Sequence, residues 1–152
     1  MGFTLAETDK VLLPYAKKTY DNAFKKYFEQ CNMEYDESCA MAMGDLKREL
    51  EQGFQSLELK LNTVPCSRGD FAFTTLTFGT WDIMMDDLDR DIMRMIDETI
   101  LKTRMKGHGG KQVVFPKLVF LYDENKINED EDHKGLFELA VKCSSKCMYP
   151  RL

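Results

Sequence analysis

Phe71-Ala72-Phe73-Thr74-Thr75-Leu76-Thr77-Phe78-Gly79, the segment Ile83 to Lys106, and Val113-Val114-Phe115-Pro116-Lys117-Leu118-Val119-Phe120-Leu121 together decide the fold. The first run is rich in aromatic and β-branched residues, so it reads as a strand that Gly79 ends. Pro65-Cys66-Ser67-Arg68-Gly69-Asp70 before it is a turn by composition. The middle segment repeats Leu88, Ile92, Met95, Ile96, Thr99 and Ile100 at helical spacing, and Gly107-His108-Gly109-Gly110 breaks it. The last run is almost continuously apolar, the signature of a strand buried on both faces of a parallel sheet. Pro116 within it lacks a ladder donor and marks an edge or a bulge. Strand, helix and strand predict two parallel strands joined by a right-handed crossover.

On the amino-terminal side the period is helical. Val11, Leu12, Tyr15, Thr19, Ala23 and Tyr27 predict a helix from about Thr8 to Gln30, with Thr8 or Asp9 as its cap. Pro14 fits only a first turn. Lys17, Lys18, Lys25 and Lys26 against the single acid Asp21 make a basic edge in an acidic chain. Such an edge suits an anion such as a nucleotide phosphate, or is an ordinary solvated face. Leu46, Leu50, Phe54, Leu57 and Leu61 then stripe a second helix over 36–62. Two long helices in succession predict a hairpin over 8–62, either an interior wall or a docking surface.

On the carboxy-terminal side, Asp123 to Asp132 holds six acids and one lysine and reads as a solvated loop. A last helix follows from about His133 to Lys146, with Leu136, Leu139, Ala140 and Cys143 inward, and Tyr149-Pro150 closes it. The order is α-α-β-α-β-α. Two strands make a poor sheet, so they want neighbours that this chain is not expected to supply. The chain thus reads as one unit over 1–152, a helical hairpin followed by a β-α-β-α part over 71–152.

The 152 residues are 43% hydrophobic and 31% charged, with a net charge of −5, a globular composition for a single domain. The acidic balance argues against non-specific nucleic-acid binding, and no apolar run is long enough for a membrane span. Five cysteines without a secretory start read as reduced thiols and a cytoplasmic protein. Cys143 and Cys147 stand one helical turn apart, but two thiolates fall short of a four-ligand zinc site, with only His108 and His133 to add. Asp82, Asp86, Asp87, Asp89 and Asp91 are explained by the helix dipole more simply than by a cation, so no metal site is assigned. No phosphate loop, HExxH or GxSxG occurs, and Gly107 to Gly110 follows a helix rather than a strand. Arg68, Arg104 and Lys117 suit phosphates as well as they suit a surface.

Four stretches together resemble one family. They are Asp9-Lys10-Val11-Leu12 with Pro14-Tyr15 and Thr19-Tyr20; Phe73 to Gly79; Val114-Phe115-Pro116-Lys117-Leu118-Val119; and Cys143-Ser144-Ser145-Lys146 with Met148-Tyr149-Pro150. With Gly2 and Thr4 before them, they resemble the anaerobic, glycyl-radical class III ribonucleoside-triphosphate reductase, over essentially the whole chain. The resemblance implies part of a ten-stranded α/β barrel. It implies an enzyme that reduces the 2′-carbon of ribonucleoside triphosphates, in which a glycyl radical relays to a cysteine thiyl that abstracts the 3′ hydrogen. It further implies an S-adenosylmethionine iron–sulfur activase that installs the radical, a structural zinc, and ATP or deoxynucleotide effectors bound in a helical dimer region. The first helix resembles that region, which makes Lys17 and Lys18 the effector-side candidates and the first helices a homodimer contact.

The departures limit what carries over. The family's upstream strand with its partner cysteine has no counterpart here, and its radical-bearing cysteine falls beyond Pro150. The zinc cysteines and the radical glycine have no match, and Arg151-Leu152 stands where the family continues with an aspartate. No catalytic role passes to Cys31, Cys39, Cys66, Cys143 or Cys147. The expectation is therefore an internal fragment of the catalytic subunit, inactive by itself and completed by the rest of that subunit. The alternative is a stand-alone interaction or effector-binding module derived from the family.

Overall fold

The computed structural model describes residues 2–147 apart from 66, 68, 70–72, 80, 83 and 110. The elements are β1 (Gly2–Leu5), α1 (Thr8–Lys25) running into a π-helical turn (Lys26–Gln30), α2 (Tyr35–Thr63), β2 (Phe73–Phe78), α3 (Asp87–Lys106), β3 (Lys117–Phe120), α4 (Glu124–Glu129) and α5 (Glu131–Cys147). The strands form one parallel sheet in the order β1-β2-β3.

The chain supplies a third strand that its sequence did not announce. Gly2-Phe3-Thr4-Leu5 is too short to show alternation, yet it pairs in parallel with β2, Gly2 opposite Phe73 and Leu5 opposite Leu76. The expectation that β2 and β3 would find no third strand within this chain is therefore corrected. β2 lies in the middle, β3 beside it with Thr75 opposite Lys117. Pro116 ends the apolar run's usefulness as a strand, and β3 begins only after it. At the far end of β2, Gly79 has φ +111°, and a β-carbon there would stand 2.7 Å from the Phe120 ring. Only glycine fits that turn without displacement.

Helices cover one face of the sheet. Leu76 and Phe78 of β2 and Leu118 and Phe120 of β3 are buried with Ile92, Ile96 and Ile100 of α3. The central α3 also packs on α1, α2 and α5. Its buried surface exceeds a single stripe and takes in Met93 and Leu101, because neighbours surround it. The opposite sheet face, where Thr4, Thr75, Thr77, Lys117 and Val119 alternate with the core residues, is exposed or half-buried throughout. Parallel sheets are ordinarily covered on both faces.

Three local expectations need correction. Pro14 lies well inside α1, not in its first turn; it is exposed, so the Lys10 carbonyl that loses its donor is open to water. Neither Thr8 nor Asp9 is the cap residue of α1: that residue is Glu7, in the left-handed region at φ 49°, whose side chain makes no capping bond. Asp123 to Asp132 is not a loop throughout, because the Asp123 carboxylate accepts from the Asn125 and Lys126 N–H groups and starts α4. The six-residue helix is too short to show an apolar period.

Candidate functional site

The first helix carries the residues on which the sequence placed its site, and the helix is rotated from the expected facing. Ala16 and Tyr20 are buried, whereas Val11 is 46% and Tyr15 70% exposed. The expected inner stripe thus lies partly on the surface. Opposite it, Leu46 and Phe54 of α2 are buried, but Leu50, Leu57 and Leu61 are only half-buried. Between the two helices opens an apolar groove of about 360 Å³, lined among others by Leu12, Tyr15, Leu50, Phe54, Leu57 and Leu76.

Lys17 and Lys18 are adjacent in sequence and therefore point about 100° apart around the helix. Lys17 turns to α3 and meets Asp89 at 2.9 Å, and that hydrogen bond and charge raise its ammonium pKa. Lys18 is exposed and forms no ion pair among the described residues. Lys26 lies over the Tyr27 ring at 4.9 Å, and the Tyr27 hydroxyl donates to Asp45 at 2.8 Å. Lys17 and Lys18 therefore belong to one helix but not to one cluster.

The other candidates go to structural work. Cys143 and Cys147 are buried, donating to the Leu101 and Arg104 carbonyls at 3.6 and 3.7 Å, and burial pushes the Cys143 thiol up to about 12. Neither histidine joins them as a ligand: His133 Nδ1 bonds Asp130 at 2.5 Å, and His108 Nε2 lies 3.4 Å from Glu58. Among the described residues no group of three or more histidines, cysteines or acids is placed to hold a metal. Of the aspartates at the start of α3, Asp82 accepts from Met84 N–H and Asp89 takes Lys17. Arg104 is buried and committed to Glu58 at 3.0 Å and to the Pro116 carbonyl. Lys117 is exposed at the start of β3; Arg68 and Cys66 lie outside the described residues.

Sequence reading missed the buried polar groups. At the amino-terminal ends of the strands lie Glu58, Arg104 and His108, beside Asn62, which donates to the Phe115 carbonyl and accepts from the Phe115 N–H. At the carboxy-terminal ends, Asp9 and Asp97 are 1% and 0% exposed, and Asp9 accepts from Gly79 N–H at 3.0 Å. Nearby in the chain, Trp81 stacks on His133 at 4.0 Å between ring centroids. Asp130 is pushed up by burial, but the His133 bond, the Asp132 N–H and the Arg90 charge together bring it below the ordinary carboxylate value. One signal was available: Met93, Asp97, Ile100 and Arg104 fall at helical spacing, which places an acid and a base inside the apolar stripe.

A one-sided parallel sheet, a helical hairpin with an uncovered apolar groove, and no assembled catalytic set among the described residues define an α/β unit whose surfaces expect company. The chain belongs to the anaerobic ribonucleoside-triphosphate reductase family, which its residues 2–152 match. It is similar to the anaerobic ribonucleoside-triphosphate reductase of Enterobacteria phage T4, 35% identical over 98% of this chain and 24% of the relative. The proteins of the same name from Haemophilus influenzae and Escherichia coli K12 are each 34% identical over 98% of this chain and 20% of their own length. The chain thus spans between a fifth and a quarter of the curated relatives it matches. Among the described residues no helix is long and apolar enough to cross a membrane.

Proposed function

We propose that this chain is one part of the catalytic subunit of an anaerobic ribonucleotide reductase, which converts ribonucleoside triphosphates to deoxyribonucleoside triphosphates by glycyl and thiyl radical chemistry. The match of residues 2–152 to a fifth or a quarter of each relative carries this reading. The open sheet face supports it, since the remainder of a barrel would cover that face. The radical and the structural zinc belong to that whole subunit, and the S-adenosylmethionine iron–sulfur activase is the partner that installs the radical; this chain matches none of the residues that would carry the radical or the zinc. In the reading, the 152 residues alone are not catalytically competent, and the protein acts in the cytoplasm.

The hairpin is the effector and dimer region of the proposal. Val11 and Tyr15 on α1 and the groove beside them are an apolar surface suited to a second copy through the first helices. Lys18, exposed and without an ion partner among the described residues, is the free cation for an ATP or deoxynucleotide phosphate, while Lys17 takes part by exchanging Asp89 for phosphate. The alternative, a stand-alone module, is favoured by one observation. Trp81, Phe78, Ile92, Ile96 and Leu136 give the chain a fully buried core of its own.

The test mixes the pure chain, anaerobically, with ribonucleoside triphosphate, reductant and a competent radical activase. The expected result is no deoxynucleotide above background; turnover refutes the partial-subunit reading. Equilibrium dialysis with ATP and deoxynucleotides separates the alternatives. Saturable binding by a monomer places the stand-alone module first. Binding only as a dimer, weakened several-fold by Lys18→Ala, supports the effector region.

A further inference from the structure

Asp97 sits on the core side of α3 with no solvent exposure, and neither of its oxygens meets an N–H or O–H donor among the described residues. The side chain it does meet, from α1, is Asp9, itself 1% exposed. On α3 the nearest acid is Glu98, which is turned to Arg94 and Lys102. The cations of neighbouring elements are held elsewhere: Lys17 by Asp89, Arg90 and Arg94 by Asp130 and Asp132, and Arg104 by Glu58. Two ionised carboxylates cannot be buried side by side without a cation, but a single proton turns their repulsion into a hydrogen bond. The two members are not equivalent. Asp9 accepts from Gly79 N–H at 3.0 Å and from Lys10 N–H at 2.9 Å, whereas Asp97 accepts from no donor among the described residues.

We propose that Asp97 and Asp9 form a proton-sharing carboxyl pair, with Asp97 the protonated partner donating to Asp9, and that this pair is a pH-sensitive latch. The latch ties three elements at one point: the first turn of α1, the end of β2 through Gly79, and the middle of α3. Burial, and then the Asp9 charge, push the Asp97 carboxyl well above its ordinary range. Because folding binds a proton there, the latch is at full strength below the ordinary carboxylate pKa of about 4 and weakens as pH rises through the folded value. Its loss leaves two anions facing each other and detaches α1, the helix that carries Lys17 and Lys18, from α3.

Two measurements on the 152-residue chain test this. The first follows the aspartate side-chain carboxyl carbons by NMR across pH. The Asp97 signal is expected to show the protonated form at neutral pH. An Asp97 that titrates near the usual value of about 4 overturns the proposal. The second follows the urea midpoint from about pH 5 to pH 9 in the wild type and in Asp97→Asn, whose amide donates to Asp9 without a titrating proton. The wild-type midpoint is expected to fall with rising pH, and the variant to lose most of that fall. A variant that folds and keeps the whole slope also overturns the proposal. If the variant does not fold, the carboxyl titration of the wild type decides.

Discussion

The two ends of the sheet bury charge in opposite ways. At the amino-terminal ends of the strands, Glu58 is matched by Arg104 at 3.0 Å, and Arg104 also donates to the Pro116 carbonyl. At the carboxy-terminal ends, Asp9 and Asp97 are buried together with no cation in contact among the described residues. The first arrangement cancels a charge with an opposite charge, which is present at every physiological pH. The second can cancel one only with a proton, which the solvent controls. Both tie helices to the sheet. The amino-terminal end joins α2, α3 and the entry to β3; the carboxy-terminal end joins α1, α3 and the exit of β2. The difference teaches that substitutions threaten the first end most and pH threatens the second.

The sharpest break of that comparison is Arg104→Ala. It leaves Glu58 buried without its cation and the Pro116 carbonyl without its donor. Removing one partner of a buried pair costs about 3–5 kcal/mol, enough to unfold a marginal domain. Urea denaturation at neutral pH checks it. A loss below about 1 kcal/mol would mean that water reaches Glu58 and that this end is not the compensated site described.

Next in size is Gly79→Ala at the other end. The substituted residue keeps a positive φ and pushes a methyl group to 2.7 Å from the Phe120 ring. Strain of this kind costs about 1–3 kcal/mol, and it displaces the N–H that Asp9 accepts. The midpoint should therefore fall, and the pH dependence of the midpoint should change with it. A fall with an unaltered pH profile would separate the turn from the carboxyl pair.

A pH titration sharpens the contrast further through Asp130, whose carboxyl lies below its ordinary value. Its contribution is present above the unfolded pKa of about 4 and is lost as pH falls through the folded value. Stability should then decline on the acid side through Asp130 and on the alkaline side through Asp97. His133→Gln, which removes the ring that bonds Asp130, should flatten the acid limb alone; thermal melts across pH would show it.

Much of this was legible in the sequence, and the parts that were not share a cause. The long periodic segments gave α2, α3 and α5 within a few residues, and Gly79 and the aromatic run located β2. β1 escaped because four residues carry no period and its partner lies some seventy positions away. The facing of α1 escaped because Val11, Tyr15, Ala16 and Tyr20 offer two rival apolar stripes, and only tertiary packing chose between them. The buried polar pairs escaped for the same reason. Glu58 reads as one more acid on a charged helix until Arg104, forty-six residues later, is brought beside it. Lys17 and Lys18 were legible as a basic edge, but not that Lys17 has Asp89 waiting on another helix.

The smallest expected effect separates stability from binding. Lys17 and Asp89 form an ion pair with side chains 42% and 18% exposed, so water and salt screen it. Lys17→Met should cost no more than about 1 kcal/mol, and less at high ionic strength. That modest cost is what makes the position informative. A large loss of nucleotide binding in a Lys17→Met chain of nearly unchanged stability would come from the missing ammonium and not from a damaged helix. Asp89→Asn completes the argument, because it frees Lys17 without removing it. If Lys17 exchanges Asp89 for phosphate, Asp89→Asn should bind nucleotide more tightly than the wild type, since the exchange no longer breaks an ion pair. If Lys17 only docks α1 on α3, both variants should weaken binding together, or neither should, and the effector role would rest on Lys18 alone.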